Sequence, residues 1–240
     1  MMTNPEAKTF LIIGSSGGLG SVLVNYFEDK KYNLALHYYT QPPVFNLETT
    51  RAYQADITNE QRVIQLIQQV KEDFGSVHCI LHNAGVSRNG MSWKTPQSEW
   101  DETIAVNLTG PFLVSKHCIP LMRDAEFGRI LFMSSVVAQT GFIGTSAYAA
   151  SKAGLLGLTK TLAKELANKN ITVNAIALGY FNAGMINDVP DEMQAILKAS
   201  IPMGDLGDPL QLASLIDFLC SDQAAYLTGQ TLNLNGGLYS

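Results

Sequence analysis

The stretch "FLIIGSSGGLGSVLVNYF", residues 10 to 27, passes from an apolar run through Gly14, Gly18 and Gly20 straight into a segment with helical period. A strand that enters a helix through such a turn needs residues free to take unusual backbone angles. It also leaves backbone N–H groups and the positive helix end open to an anion. The context of strand before and helix after turns a weak glycine pattern into a cradle for the pyrophosphate of a dinucleotide. Gly14, Ser16, Gly18, Leu19 and Gly20 are its candidate contacts.

Outward from this point the chain alternates. Runs at 8–14, 33–39, 52–56, 78–85, 129–135, 171–179 and 230–237 read as strands, the first six as strands buried on both faces. Helical periods fill 18–29, 59–74, 98–123, 147–168 and 208–220. Such alternation predicts parallel strands with right-handed crossovers, and hence an α/β fold of Rossmann type. Residues 1–240 would form one doubly wound domain around a seven-stranded, mostly parallel sheet with helices on both faces. One connection departs from the rhythm: "TQPPVFNLETTR" (40–51) contains Pro42 and Pro43 and leaves no room for a crossover helix. A second irregular region, 180–209 with a short helix near 191–199, follows the sixth strand. It is placed to cover a ligand beyond the carboxyl ends of the strands.

With 46% hydrophobic and 15% charged residues the chain has ample apolar surface to bury. No run approaches the length of a membrane span, and "MMTNPEAKTF" lacks the basic-then-apolar pattern of a secretory signal, so a cytoplasmic protein is expected. The net charge of −5 without any basic cluster argues against nucleic acid as the principal ligand. Cys79, Cys118 and Cys220 are widely spaced in apolar surroundings and read as buried free thiols. No metal site is expected.

A second stretch, "SSVVAQTGFIGTSAYAASKAG" (134–154), places Tyr148 and Lys152 four apart, on one helical face, with Ser135 thirteen residues before the tyrosine. Taken alone the pair is as consistent with ordinary helix packing as with chemistry, Ser135 with a strand-end turn, and Asn107 with a helix cap or kink. Together with "ADIT" (55–58), "HNAG" (82–85) and Asn107 in "IAVNLTGPF" (104–112), in this order, the chain resembles the classical short-chain dehydrogenases/reductases over essentially its whole length. Within them it is most similar to the β-ketoacyl-acyl-carrier-protein reductases.

The resemblance implies a catalytic set of Ser135, Tyr148, Lys152 and Asn107. It also implies a nicotinamide cofactor held by the glycine cradle, Tyr39, Thr40, Asp56, Ile57, Asn83, Ala84, Gly85, Tyr148, Lys152, Gly179 and Phe181. Further implications are a 3-oxoacyl thioester as substrate, free or on an acyl carrier protein, and a homotetramer. The helices at 98–123 and 147–168 would pair across a two-fold axis through Ile104, Leu108, Phe112, Val114, Ala149, Ala153, Leu156 and Thr159. The carboxyl-terminal strand would form a second interface.

The chemistry explains the residue types. Reducing a ketone takes a hydride on carbon and a proton on oxygen, and the cofactor supplies only the first. A phenol of ordinary pKa near ~10 gives up its proton reluctantly, and a nearby ammonium is expected to lower that value. Lys152 would supply the ammonium, and by the resemblance would also bond the nicotinamide ribose. Ser135 would hold the carbonyl oxygen, and Asn107 would link Lys152 to solvent.

The second strand ends "HYYTQ" without the carboxylate that usually bonds a 2′-hydroxyl, which favours NADP(H) over NAD(H). The family's arginine in the glycine loop is Gly17 here, its Pro-Gly after the sixth strand is Leu178-Gly179, and a threonine near the carboxamide is Ala183. "RDAEFGR" (123–129) puts Asp124 and Glu126 where an acidic carrier protein would meet repulsion. A free ketone, coenzyme A thioester, steroid or sugar therefore stands as an alternative substrate, and a catalytically silent dinucleotide sensor as a more distant one.

Overall fold

The computed structural model describes residues 7–240. What the sequence says of residues 1–6 lies outside the described residues. Seven strands, β1 (Thr9–Ile13), β2 (Asn33–Tyr38), β3 (Thr50–Gln54), β4 (Cys79–His82), β5 (Gly128–Ser135), β6 (Ile171–Leu178) and β7 (Thr231–Leu234), form one sheet. Its order is β3-β2-β1-β4-β5-β6-β7, and every pairing is parallel. The order reverses between β1 and β4, so the chain leaves those strands in opposite directions and opens a crevice at their carboxyl ends, where open sheets of this kind bind ligands.

The helices are α1 (Gly18–Asp29), α2 (Glu60–Phe74), α3 (Gln97–Ile104), α4 (Gly110–Asp124), α5 (Val137–Thr140), α6 (Ser146–Leu166), α7 (Asp191–Ser200) and α8 (Pro209–Leu219). One face of the sheet is covered by α2, α4 and α6 through Val63, Leu66, Val114, Cys118, Leu155 and Leu162. The other is covered by α1 and α8 through Leu23, Val24, Phe27, Leu212, Ile216 and Leu219. All three cysteines are buried free thiols. Among the described residues no helix is long and apolar enough to cross a membrane.

Three local expectations need correction. β3 is an edge strand, with Arg51 and Ala52 half-buried and Gln54 exposed, so it is not covered on both faces. It also begins two residues earlier than expected. The helix-free connection before it is held by a buried carboxylate instead: Glu28 of α1 accepts from the backbone N–H of Asn46 and Leu47, both at 2.9 Å, and from Thr50 Oγ1 at 3.2 Å. The expected helix 98–123 is two helices joined through a π turn at Ala105–Thr109, which nothing in the residue pattern announces. Val114 and Thr159, expected at an outer surface, are fully buried and face the chain's own sheet, whereas Phe112 is 45% exposed.

Candidate active site

Three glycines in the floor of the crevice leave no room for a side chain. Gly14 has φ of +81°, and a Cβ there would lie 2.6 Å from the Ala84 backbone. A Cβ on Gly20 would come within 2.3 Å of Gly14 O, and one on Gly18 within 2.3 Å of Gly184 N. The first and last of these contacts pack the loop against β4's exit and against the segment after β6. The Gly20 contact seats the start of α1 on its own loop. Gly20 therefore shapes the cradle without lining the cavity, whereas Gly14, Ser16, Gly18 and Leu19 line it directly.

The wall after β4 is tied to the same floor. Asn83 Nδ2 donates to Gly14 O at 2.7 Å, and the N–H groups of Asn83 and Ala84 both reach Ile13 O. Asp56 accepts from Thr58 N at 2.9 Å and Thr58 Oγ1 at 2.7 Å, while Asn59 caps α2. The carboxylate thus stiffens its own loop beside Ile57. Tyr39 and Thr40, at the end of β2, are exposed and lie on the same cavity wall.

Ser135, the last residue of β5, and Tyr148 and Lys152, in the first turns of α6, converge at the crevice. Lys152 is buried, its Nζ donates to Met133 O at 2.7 Å, and burial pulls its pKa down to about 8. Tyr148 keeps partial exposure. Burial raises its pKa, a hydrogen bond with Ser135 opposes that rise, and the nearby Tyr180 phenol adds to it. This reverses the expected direction. The ammonium sits 5.7 Å from the Tyr148 ring centroid and is turned to a backbone carbonyl, so desolvation outweighs its attraction for a phenolate.

Asn107 lies in the π turn, a helical irregularity that often re-aims a side chain at a functional site. Its Oδ1 accepts from Val86 N at 2.8 Å, and its Nδ2 donates to Val86 O at 2.8 Å and to Ser151 Oγ at 3.1 Å. Ser151 Oγ in turn donates to Tyr148 O. A Cβ on Gly85 would lie 3.3 Å from Lys152 Nζ and 3.4 Å from Asn107 Oδ1. That residue therefore runs between the two polar groups.

Sequence reasoning missed three contributors. Met133 O holds Lys152, Ser151 links Asn107 to α6, and Tyr180 brings a second phenol near the first. A carbonyl has no sequence signal, but Ser151 and Tyr180 stand beside recognisable motifs. The roof carries Phe142, Tyr180, Met185, Ile186, Val189, Pro190, Met193 and Leu197 over a cavity of about 1270 Å³. At its mouth Arg88 and Glu102 form a bidentate pair at 2.9 and 2.8 Å.

A family model described as enoyl-(acyl carrier protein) reductase matches residues 14–239. The 3-oxoacyl-(acyl-carrier-protein) reductase FabG of Staphylococcus aureus is 34% identical over 241 residues, covering 97% of this chain and 98% of the relative. Those of Haemophilus influenzae and Vibrio cholerae are 35% and 33% identical, each covering 98% of this chain and 99% of the relative. This chain belongs to the short-chain dehydrogenase/reductase family.

Members of this family are oxidoreductases that use a nicotinamide dinucleotide. The residues fit that group: Gly14, Gly17 and Gly18 line the cavity at the start of α1 and put no side chain between it and the backbone N–H groups that a pyrophosphate must approach. The cavity continues without a break from Tyr39 and Thr40 past Asn83 to Tyr148 and Lys152. The departures from the family are also legible in space. Ala183 is extended at φ −168° and offers no hydroxyl, and Gly184 at φ +77° lets that segment meet Gly18. Gly179 packs on Asn235, where a Cβ would lie 2.7 Å from Cα, while Phe181 is buried beside Gly207 and lines the cavity.

Proposed function

We propose that this reductase converts a 3-oxoacyl thioester to its 3-hydroxyacyl form with NADPH. The observation that carries the reading is the meeting of Ser135, Tyr148 and Lys152 in one cavity that is glycine-lined at one end and apolar at the other. The names of relatives that match this chain end to end support the substrate class. A bound NADPH would supply hydride to the ketone carbon. Ser135 Oγ donates to the ketone oxygen, and Tyr148, kept protonated by burial, delivers a proton to it as charge develops there. The Lys152 ammonium, close to both Tyr148 and the ribose end of the cavity, stabilises the phenolate that this transfer leaves. Asn107 holds Val86 and the start of the loop over the site, and the segment 180–209 covers the acyl chain.

The preference for NADPH is supported by Tyr39 and Thr40, which follow β2, line the cavity and bring no carboxylate to the wall where a 2′-phosphate would lie. Asp124 and Glu126 lie at the amino end of β5, a strand's length of about 23 Å from Ser135. Within one chain they do not flank the cavity mouth. Their repulsion bears on a carrier protein only across a subunit contact, so a carrier-bound substrate remains part of the reading. The half-buried Ile104, Leu108, Ala149 and Leu156, with exposed Phe112 and Ala153, are the face through which α6 and the run from the end of α3 into α4 pair in a homotetramer.

The test is a substrate panel followed by NADPH oxidation: carrier-bound and coenzyme A 3-oxoacyl thioesters, a 2-enoyl thioester, and free ketones including a steroid and a sugar. The 3-oxoacyl thioesters should turn over fastest. A higher kcat/KM for any other class would replace the assignment, and no turnover with any of them would favour a cofactor sensor.

A further inference from the structure

His37 is 2% exposed and follows the apolar run Leu34, Ala35 and Leu36 in β2. Its imidazole touches two separate loops. Nε2 lies 3.0 Å from Ala55 O, and Nδ1 lies 3.3 Å from Gly14 N. A carbonyl can only accept and an amide N–H can only donate, so the contacts fix the tautomer: Nε2 carries the proton and Nδ1 presents its lone pair. The backbone carbonyl of the same residue accepts from Gly14 N at 3.2 Å, Ser15 N at 3.0 Å and Ser15 Oγ at 2.9 Å. One residue thus ties the opening turn of the glycine cradle to the loop that carries Ala55 and Asp56.

We propose that neutral His37 is a positioning residue for the dinucleotide, fixing the distance between the glycine cradle and the Ala55–Thr58 wall so that both meet the adenosine half of the cofactor. This rests on the reading of the cavity as a nicotinamide dinucleotide site. An imidazolium would aim an N–H at the N–H of Gly14, two donors facing each other, and the tie would open.

The groups that face the ring set the direction of its titration. Burial opposes the charge, while the hydrogen bond to the Ala55 carbonyl and, after it, Asp56 from the loop before α2 favour it. Burial prevails and holds the pKa below the usual histidine value. On the neighbouring strand Tyr53, paired in register with His37, donates to Asp73 of α2 and stays protonated, its pKa raised by burial. On the other side stands Ile13, which is apolar. His37 is therefore neutral at ordinary pH. Cofactor affinity falls as pH drops through its lowered pKa and is level above it.

The experiment measures Kd for NADH by fluorescence from about pH 8 down to the lowest pH at which the melting temperature, recorded in parallel, shows the protein folded. A wild-type Kd that stays level over that whole range would overturn the proposal. NADH is chosen because it lacks a 2′-phosphate that titrates in the same range. Wild-type Kd should rise about five-fold or more on acidification. His37→Gln, which keeps a donor for Ala55 O and cannot titrate, should stay within about three-fold of wild type at pH 8 and lose the acid limb. His37→Phe should raise Kd by about three- to ten-fold at all pH values. An acid limb that survives in His37→Gln would assign the ionisation elsewhere and overturn the proposal, as would a His37→Phe protein that binds like wild type. If His37→Phe does not fold, the limb in His37→Gln decides alone. Failure of the wild-type protein to bind NADH or NADPH at any pH would instead remove the cofactor reading itself.

Discussion

The floor and the roof of the cavity are built on opposite principles. The floor, from Gly14 to Gly20 and from Asn83 to Gly85, is closed by backbone hydrogen bonds and by glycines whose missing Cβ atoms would lie 2.3–2.6 Å from backbone at Gly14, Gly18 and Gly20. The roof, from Gly184 through α7, buries only Ile186 and Leu197, while Met185, Met193 and Ile196 are 48%, 46% and 62% exposed. It is tied back by the exchange between Tyr180, Asn182 and Gly207. A segment with so little buried apolar surface opens at low cost. The contrast teaches where the constant and variable parts of the reaction lie. The cofactor end admits one geometry, and the substrate end offers adjustable apolar side chains, methionines prominent among them.

Substitutions at Lys152 and in the floor should therefore cost most. Lys152→Met should reduce turnover by about 10²–10⁴ and also weaken cofactor binding, since both roles are proposed for the same ammonium; steady-state rates and NADPH titration check this, and unchanged binding would remove the ribose role. Gly18→Ala places a methyl group against Gly184 N, 2.3 Å from its ideal position. The segment over the cradle must then move, and cofactor Kd should rise by about ten-fold or more, while the melting temperature shifts little because the strain is relieved on the roof side. A larger loss of stability than of affinity would show that the roof is as fixed as the floor.

At the cavity's edge effects should be smaller. Thr40→Asp puts a carboxylate near the 2′ position in an exposed, screened setting. The NADPH/NADH ratio of kcat/KM should fall by about ten-fold, and a wild-type preference for NADH would contradict the cofactor assignment. The probe that leaves every residue in place is pH. Lys152 is charged below about 8 and neutral above, so the ammonium's support of the Tyr148 phenolate is present below that pH and is lost as pH rises through it. Reduction should decline on that limb by roughly ten-fold per unit at most, and a level profile to pH 10 would separate Lys152 from the proton transfer.

Much of this was legible in the residues, for identifiable reasons. The glycine cradle and the Tyr148–Lys152 pair are local: spacing alone places them on a turn and on one helical face. What stayed hidden depends on contacts between distant segments. Nothing near Glu28 says that it holds residues 46–50. The π turn at Asn107 lies against α6, where Leu108 occupies the space left by Gly154, a contact between segments far apart in the chain. The direction of the Tyr148 pKa depends on where Lys152 Nζ turns, and it turns to a carbonyl rather than to the phenol. Val114 and Thr159 were misplaced because an apolar helix face looks the same whether it meets its own sheet or a partner.

The central claim is that Tyr148 gives the proton and does little else. Tyr148→Phe, assayed for reduction of a 3-oxoacyl thioester and for NADPH binding on the same preparation, tests it directly. The account predicts a loss of about 10²–10⁴ in kcat with cofactor Kd within about two-fold of wild type. Turnover near the wild-type rate in that variant would contradict it.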